Sequence, residues 1–174
     1  MKRIIGAVLV IVAMAAGCQK KEEPKGQNPP SGNLMQTMDE IKFLQEAAKK
    51  DPGNAEIWTK LGNALMDTSR FNEAGDAYQK ALDINPKDVD VRVDLGTCYR
   101  NLKEPNKAVE EYRKALQINP GHVNGHKNLA VVLAYDLRDS AQGIKEFEKA
   151  LELAPNAPDA PQIRQAINEL KAGK

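Results

Sequence analysis

Hydrophobic residues recur along the chain at spacings of three and four, a pattern that is typical of helices burying one face. One such stripe contains Trp58, Leu61 and Leu65, and the next contains Ala74, Tyr78 and Ala81. Only the short polar segment 67–70 lies between them. We therefore predict two antiparallel helices joined by a tight turn.

The two-helix pattern repeats with periods of 34, 34 and 35 residues, which are marked by Pro52, Pro86, Pro120 and Pro155. A proline cannot continue a helix and disfavours helical geometry in the residue before it, so each of these four ends a helix. Positions inside the period recur as well, including Trp58, Arg92 and His126, and Leu61, Leu95 and Leu129. A helix pair this short has no closed core, so the pairs must stack on one another.

Small residues predict where the helices approach each other closely. Glycine inside a helix costs about 1 kcal/mol relative to alanine, so Gly62 and Gly96 indicate close contact with a partner helix. The third period is one residue longer, and we expect the insertion in the turn 136–140 because solvated turns tolerate extra residues. We also expect Trp58 to be a packed core residue, and the replacements Arg92 and His126 to weaken packing.

These recurring residues resemble the tetratricopeptide repeat, whose pattern is Trp, Leu, Gly, Tyr, Ala, Phe, Ala, Pro at similar offsets. The resemblance implies an all-α, right-handed superhelical solenoid of antiparallel helix pairs. The predicted domain covers residues 34–171, with a cap helix at 34–51, repeats at 55–88, 89–122 and 123–157, and a second cap helix at 159–171. The first cap carries the stripe Leu34, Met38, Ile41, Leu44 and Ala48. The second is predicted to begin at a capping Asp159, with Gln162 at the capping-box position, and to bury Ile163, Ala166, Ile167 and Leu170.

The first 33 residues predict where the protein works. A basic start precedes an apolar run at 4–16, which is shorter than the about 20 residues that span a bilayer. Residues 1–17 are therefore predicted to be a signal peptide. The sequence Ala15-Ala16-Gly17-Cys18 resembles a bacterial lipobox, although alanine stands where that family usually has leucine. The resemblance implies that Cys18 is acylated; the alternative is an ordinary secretory signal with a chance cysteine.

Residues 18–33 comprise this cysteine and a polar segment with three prolines and no large apolar residue, which predicts a disordered tether. The repeat domain would then be anchored to the bacterial envelope. In the lipoproteins that this sequence resembles, a residue other than aspartate after the cysteine implies the outer membrane. Gln19 therefore favours the outer membrane, with the domain facing the periplasm, over the inner membrane or surface exposure.

Charge and motifs exclude several classes of function. Without residues 1–17 the chain has 23 basic and 24 acidic residues in alternation, so we expect no nucleic-acid binding. It contains no phosphate-binding glycine loop, nucleophile elbow or zinc-protease motif, and we predict no enzymatic activity, cofactor or small-molecule substrate. His122 and His126 have a spacing that zinc sites use, but a site needs a third ligand, so we expect no metal. Cys98 is interpreted as a small buried residue, with a reactive thiol as the alternative.

The remaining candidate site is the surface of the first helix of each repeat. In tetratricopeptide domains the corresponding offsets line a concave groove that binds peptides or partner helices. The predicted groove residues are Thr59, Asn63, Met66, Val93, Thr97, Arg100, Lys127, Val131 and Tyr135. Val93 and Val131 are expected to be exposed there. Only Asn63 and Lys127 match the residues with which some family members clamp a terminal carboxylate, so that ligand is not supported.

The sequence therefore predicts a membrane-anchored adaptor or assembly factor that binds an envelope protein through a peptide or helix. An alternative is an accessory factor of cytochrome c maturation that holds apocytochrome. A less favoured alternative of another class is a metal-binding or enzymatic protein that uses His122 and His126.

Overall fold

A computed structural model describes residues 34–173, so the predicted signal peptide, Cys18 and tether lie outside the described part of the chain. Its helices are α1 (Leu34–Lys50), α2 (Ala55–Asp67), α3 (Phe71–Ile84), α4 (Val89–Asn101), α5 (Pro105–Ile118), α6 (Val123–Val131), α7 (Ser140–Leu153) and α8 (Ala160–Lys171). A π-helical turn, Val132–Asp136, extends α6. Between residues 34 and 173 there is no strand, which confirms the all-helical prediction. No helix in this range is long and apolar enough to cross a membrane.

Each repeat begins and turns in the same way. The first helices start at a side chain that accepts a hydrogen bond from the backbone three residues later, which satisfies an otherwise unpaired amide. These capping residues are Asn54, Asp88 and His122. The turn between the two helices always contains one residue in the left-handed region, with φ of 58° at Ser69, 63° at Lys103 and 61° at Arg138. The repeated sequence therefore produces a repeated backbone.

The helices pair and stack as the predicted solenoid requires, and their buried apolar residues form three clusters along the array. Within the pairs, α2 packs on α3, α4 on α5 and α6 on α7, while α3 contacts α4 and α5 contacts α6. The predicted close approaches are confirmed, because a Cβ atom added at Gly96 would lie 2.6 Å from Cε1 of Tyr112. Gly62 faces the ring of Tyr78 in the same way.

The extra residue of the third repeat is not in the turn, so the prediction of an insertion at 136–140 is wrong. The turn at 137–139 has three residues, like the turns at 68–70 and 102–104. The residue is accommodated inside the first helix, whose last turn, Val132–Asp136, is π-helical. A π turn takes up one additional residue while keeping backbone hydrogen bonds. This keeps the turn geometry of the first two repeats, and α7 still packs on α6.

Trp58 is less buried than the packed core residue that the sequence predicted. Its side chain is half-buried and lies against the core, and Nε1 donates a hydrogen bond to the carbonyl of Pro52 at 2.9 Å. Arg92 makes the equivalent bond to Pro86, and His126 to Pro120, both at 2.9 Å. The three unlike residues therefore share one role, which is to tie the start of a helix to the preceding proline turn.

The residue opposite this position on the second helix changes with it. Ala77 and Trp58 line the same surface cavity, whereas Glu111 forms an ion pair with Arg92 at 2.8 Å. Glu146 contacts Nδ1 of His126 at 2.6 Å. Polar replacements for tryptophan thus each have an acidic partner, which is buried in the case of Glu111 and half-buried in the case of Glu146.

The two terminal helices depart from prediction in part, and Ala166 of α8 is half-buried. In α1, Ile41, Leu44 and Ala48 are buried as expected, but Met38 is 48% exposed because only the second half of the helix packs on its neighbour. Asp159 occupies the position before α8 without a side-chain capping bond. Its carboxylate instead accepts a hydrogen bond from Nζ of Lys127 at 2.7 Å, which links α8 to α6.

Candidate functional site

The predicted groove residues lie on α2, α4, α6 and the π turn, and we call this set the first-helix surface. Asn63 and Tyr135 are exposed, whereas five others are half-buried: Thr59, Met66, Thr97, Lys127 and Val131. Arg100 is also half-buried, and its Nε donates a 2.6 Å hydrogen bond to Asp136 of the π turn. The surface therefore mixes apolar and polar groups, most of them partly accessible.

Val93 does not belong to the accessible part of this surface, and the expectation that it is exposed is wrong. Its side chain is only 5% exposed and packs in a core cluster with Leu129 and Val132. The physical reason is that the α6 side chains cover this edge of α4. A partner that binds this surface would therefore contact residues around Val93 but not the Val93 side chain.

Polar residues on α2 and α4 form hydrogen bonds with the tyrosine hydroxyls of the second helices. The hydroxyl of Tyr78 donates to Oδ1 of Asn63 at 2.7 Å, and the hydroxyl of Tyr112 lies 3.1 Å from Oγ1 of Thr97. In the third repeat the equivalent residues are Phe147 and Val131. Since phenylalanine has no hydroxyl, it needs no polar partner on α6, and the equivalent position there is the apolar Val131.

A cavity of about 390 Å³ opens at this apolar end of the first-helix surface. Three predicted groove residues, Lys127, Val131 and Tyr135, line it together. The structure adds lining residues that the sequence did not indicate: Asn128, Phe147, Asp159, Gln162, Ile163 and Ala166. Four of these lie on α8 or just before it, outside the repeats, so repeat periodicity carried no signal for them.

A second cavity of about 380 Å³ lies at the end of α4 and is polar. It is lined by Arg100, Asn101, Lys103, Pro105 and Asp136. The ion pair between Arg100 and Asp136 crosses from α4 to the π turn. The predicted residue Arg100 therefore takes part in an internal contact that positions the π turn.

Asp94 on α4 carries a shifted carboxyl group that no sequence motif indicated. Burial above all, and then the carboxylates of Asp90 and Asp88, raise the pKa of its carboxyl group to about 6, against a smaller opposing effect of His122. Within residues 34–173 the side chain makes no hydrogen bond. Strongly shifted carboxyl groups are concentrated at functional sites, although structural positions also produce them.

Asp94 predicts a pH dependence of stability. The pKa of Asp94 in the folded protein, about 6, exceeds the ordinary 3.8, so the folded state favours the protonated carboxyl group. The contribution of this group to the free energy of unfolding is therefore complete below pH 3.8 and is lost as the pH rises through 6. Asp94→Asn should therefore raise the free energy of unfolding at pH 7 by about 1 kcal/mol, after allowance for solvent screening, and change it little at pH 3.5. Urea unfolding at both pH values measures the difference. Asp76→Asn on exposed α3 is the control, and a gain that is equal at both pH values would contradict the prediction.

The two histidines and Cys98 have structural partners. His122 accepts from the amide of Gly125 and contacts Asp90 at 2.9 Å, while His126 faces Glu146 and the Pro120 carbonyl. Within residues 34–173 no three His, Cys, Asp or Glu side chains are grouped as a metal site would require. Cys98 is fully buried, as expected for a small core residue, and burial and the charge of Asp94 raise its thiol pKa to about 12.

Comparisons with known proteins agree with the repeat pattern. Two sequence profiles described as tetratricopeptide repeat match residues 65–121 and 128–157, which together are half of the chain. A comparison with curated protein sequences gives no match.

Three solved structures show the same fold. The chain is similar to a crystal structure of MamA, with 21% identity and a TM-score of 0.74 over 79% of this chain and 78% of that one. A second MamA structure matches with 21% identity and a TM-score of 0.73, over 80% of this chain and 74% of the other. The first TPR of Spaghetti (RPAP3), bound to the HSP90 peptide SRMEEVD, matches with 23% identity and a TM-score of 0.61, over 67% and 93%.

Proposed function

Because this chain belongs to the tetratricopeptide repeat family, we propose that it is a non-catalytic adaptor of the bacterial envelope that binds a peptide or partner helix on its first-helix surface. The observation that carries the proposal is the open cavity at the end of that surface, where Val131 and Tyr135 stand beside apolar side chains of α8. Mixed apolar and polar surfaces with an exposed aromatic residue suit protein recognition.

The charges of the surface favour some ligands over others. The Spaghetti domain holds a peptide with two glutamates and a final aspartate. Here, Lys127 is already paired with Asp159, and Arg100 with Asp136. A ligand rich in carboxylates would have to break these pairs, so the proposed partner presents an apolar segment instead.

The proposed location of the protein in the cell rests on the first 33 residues. We propose that Cys18 is acylated after removal of residues 1–17, and that residues 19–33 tether the repeats to the outer membrane on its periplasmic side. A tether of fifteen residues that behaves as a random coil would have a root-mean-square reach of roughly 20 Å. The adaptor would therefore act close to the bilayer, and its partner would be an envelope protein.

One capture experiment tests both parts of this function. The full chain would be captured from bacterial membranes together with its bound proteins and compared with two variants. Val131→Glu/Tyr135→Glu places charge on the cavity wall, and Cys18→Ser removes the predicted site of acylation. We expect the first variant to lose the partners and the second to leave the membrane fraction. Asn106→Glu/Gln117→Glu on exposed residues of α5 is the matched control, and circular dichroism verifies folding. Partners retained by the cavity variant would overturn the binding site, and membrane retention of Cys18→Ser would overturn the anchor.

A further inference from the structure

The cavity between α6 and α8 has a mainly apolar floor. Val131, Phe147, Ile163 and Ala166 line it, and Tyr135 stands at its edge with 40% of its surface exposed. Its volume of about 390 Å³ is near the lower end of the range of about 300 to 1,000 Å³ found for ligand sites. The space suits one large side chain better than a nucleotide or a prosthetic group.

Two departures of the third repeat from the first two create this floor. The tyrosine hydroxyl and its polar partner, present as Tyr78 with Asn63 and as Tyr112 with Thr97, are replaced by Phe147 and Val131. The π turn lies at the same place and contains Tyr135. Isolated π turns frequently occur at functional sites. The other two repeats thus serve as internal references that lack both features.

The edge of the cavity is polar but electrically balanced. Lys127 and Asp159 neutralise each other at 2.7 Å. The side-chain amides of Asn128 and Gln162 have no hydrogen bond to any residue in the described range 34–173. A carboxamide offers both a donor and an acceptor, which matches the backbone of an extended peptide. A charged side chain would find no unpaired countercharge, and burying a charge without a partner is unfavourable.

We propose that this cavity, which we call the anchor pocket, holds one large uncharged apolar side chain of the bound segment. Asn128 and Gln162 bind the backbone of the peptide on either side of that residue. The inference rests on the proposed function and names the ligand class of its site: a segment with a leucine, isoleucine, methionine or phenylalanine anchor between uncharged neighbours. Burial of such a side chain contributes about tenfold or more to affinity.

The test selects a displayed library of random twelve-residue peptides on the purified full chain, and then measures the affinity of the enriched peptides. We expect one large apolar position to be enriched and its replacement by aspartate to weaken binding at least tenfold. Ala166→Phe fills the pocket from α8 and should weaken binding by a similar factor. Gln165→Phe is the matched control, since the neighbouring side chain is exposed and does not line the pocket, and it should change affinity less than twofold.

A third variant separates the pocket from the wider surface. Met66→Glu lies on α2, away from the pocket, and tests the first-helix surface as a whole. Peptides weakened by Met66→Glu but not by Ala166→Phe would overturn the anchor pocket and leave peptide binding on the rest of the first-helix surface standing. Peptides that are insensitive to both, or a selection that enriches no sequence, would overturn both proposals. An enriched charged residue at the anchor position would also overturn the pocket chemistry. Thermal unfolding followed by circular dichroism shows which variants remain folded.

Discussion

Replacing Gly143 by alanine is expected to destabilise the fold by about 2 to 3 kcal/mol, although alanine is the better helix former. A Cβ atom at this position would lie 2.6 Å from Cβ of Ala134 and 3.0 Å from the carbonyl oxygen of Ala130 and the amide nitrogen of Ala134. Two of these three atoms belong to the backbone of the partner helix. Neither can rotate away, so α6 and α7 would have to separate.

The same substitution at Gly75 provides the control. There a Cβ atom would meet Cδ1 of Leu95 at 3.7 Å and Cβ of Cys98 at 3.8 Å, which are ordinary contacts. Gly75→Ala should therefore stabilise α3 by up to about 1 kcal/mol through helix propensity. Urea unfolding at neutral pH compares the two variants with the unchanged chain. If Gly143→Ala is as stable as Gly75→Ala, the close approach of α6 and α7 is wrong.

Removing the Glu111 carboxylate is expected to cost about 3 kcal/mol, because it leaves a nearly buried charge without its partner. The side chains of Arg92 and Glu111 are only 15% and 11% exposed and are joined at 2.8 Å. Nε of Arg92 already lacks a hydrogen-bond partner, so Glu111→Ala would leave the charged guanidinium group with only its bond to the Pro86 carbonyl. The free energy of unfolding in urea measures the loss.

The first repeat indicates a second substitution that should restore the stability lost in Glu111→Ala. Its equivalent residues are Trp58 and Ala77, and Lys80 lies over the Trp58 ring at 4.2 Å from the centroid. Arg92→Trp/Glu111→Ala reproduces this arrangement beside Lys114 and should recover most of the lost stability, since apolar replacements of buried ion pairs are often neutral or stabilising. Glu110→Ala removes the exposed partner of Lys114 and should change stability little. A double variant no more stable than Glu111→Ala would contradict this equivalence.

The repeat period made the helices predictable, because proline and the apolar stripes act locally. Pro86 and Pro120 end helices whatever surrounds them, and the stripe of Leu61 and Leu65 buries one face in any stack. The period also revealed the extra residue of the third repeat. It could not place that residue, since a π turn and a longer loop give the same sequence spacing. Whether the extra residue enters a π turn or a longer loop depends on packing around Gly143, and repeat spacing does not describe that packing.

The candidate site was predictable only in part, for a related reason. Helical offsets brought Lys127, Val131 and Tyr135 to one surface, and the structure places all three around one cavity. The same offsets assigned Val93 to the exposed set, but burial depends on the neighbouring helix, and α6 covers it. Ile163 and Gln162 belong to a helix outside the repeats, so no recurring pattern connected them with Val131.

The bonds from Trp58, Arg92 and His126 to the preceding proline carbonyls have a consequence for how the chain folds. Each bond spans six residues, so it closes a very short loop whose entropy cost is small. Such contacts form before distant segments meet, and proteins dominated by local contacts fold quickly. Each of these three proline turns can thus act as a starting point, from which order spreads to neighbouring helices in either direction along the array. An interruption at one repeat would slow this spread locally and leave the remaining turns able to start it again.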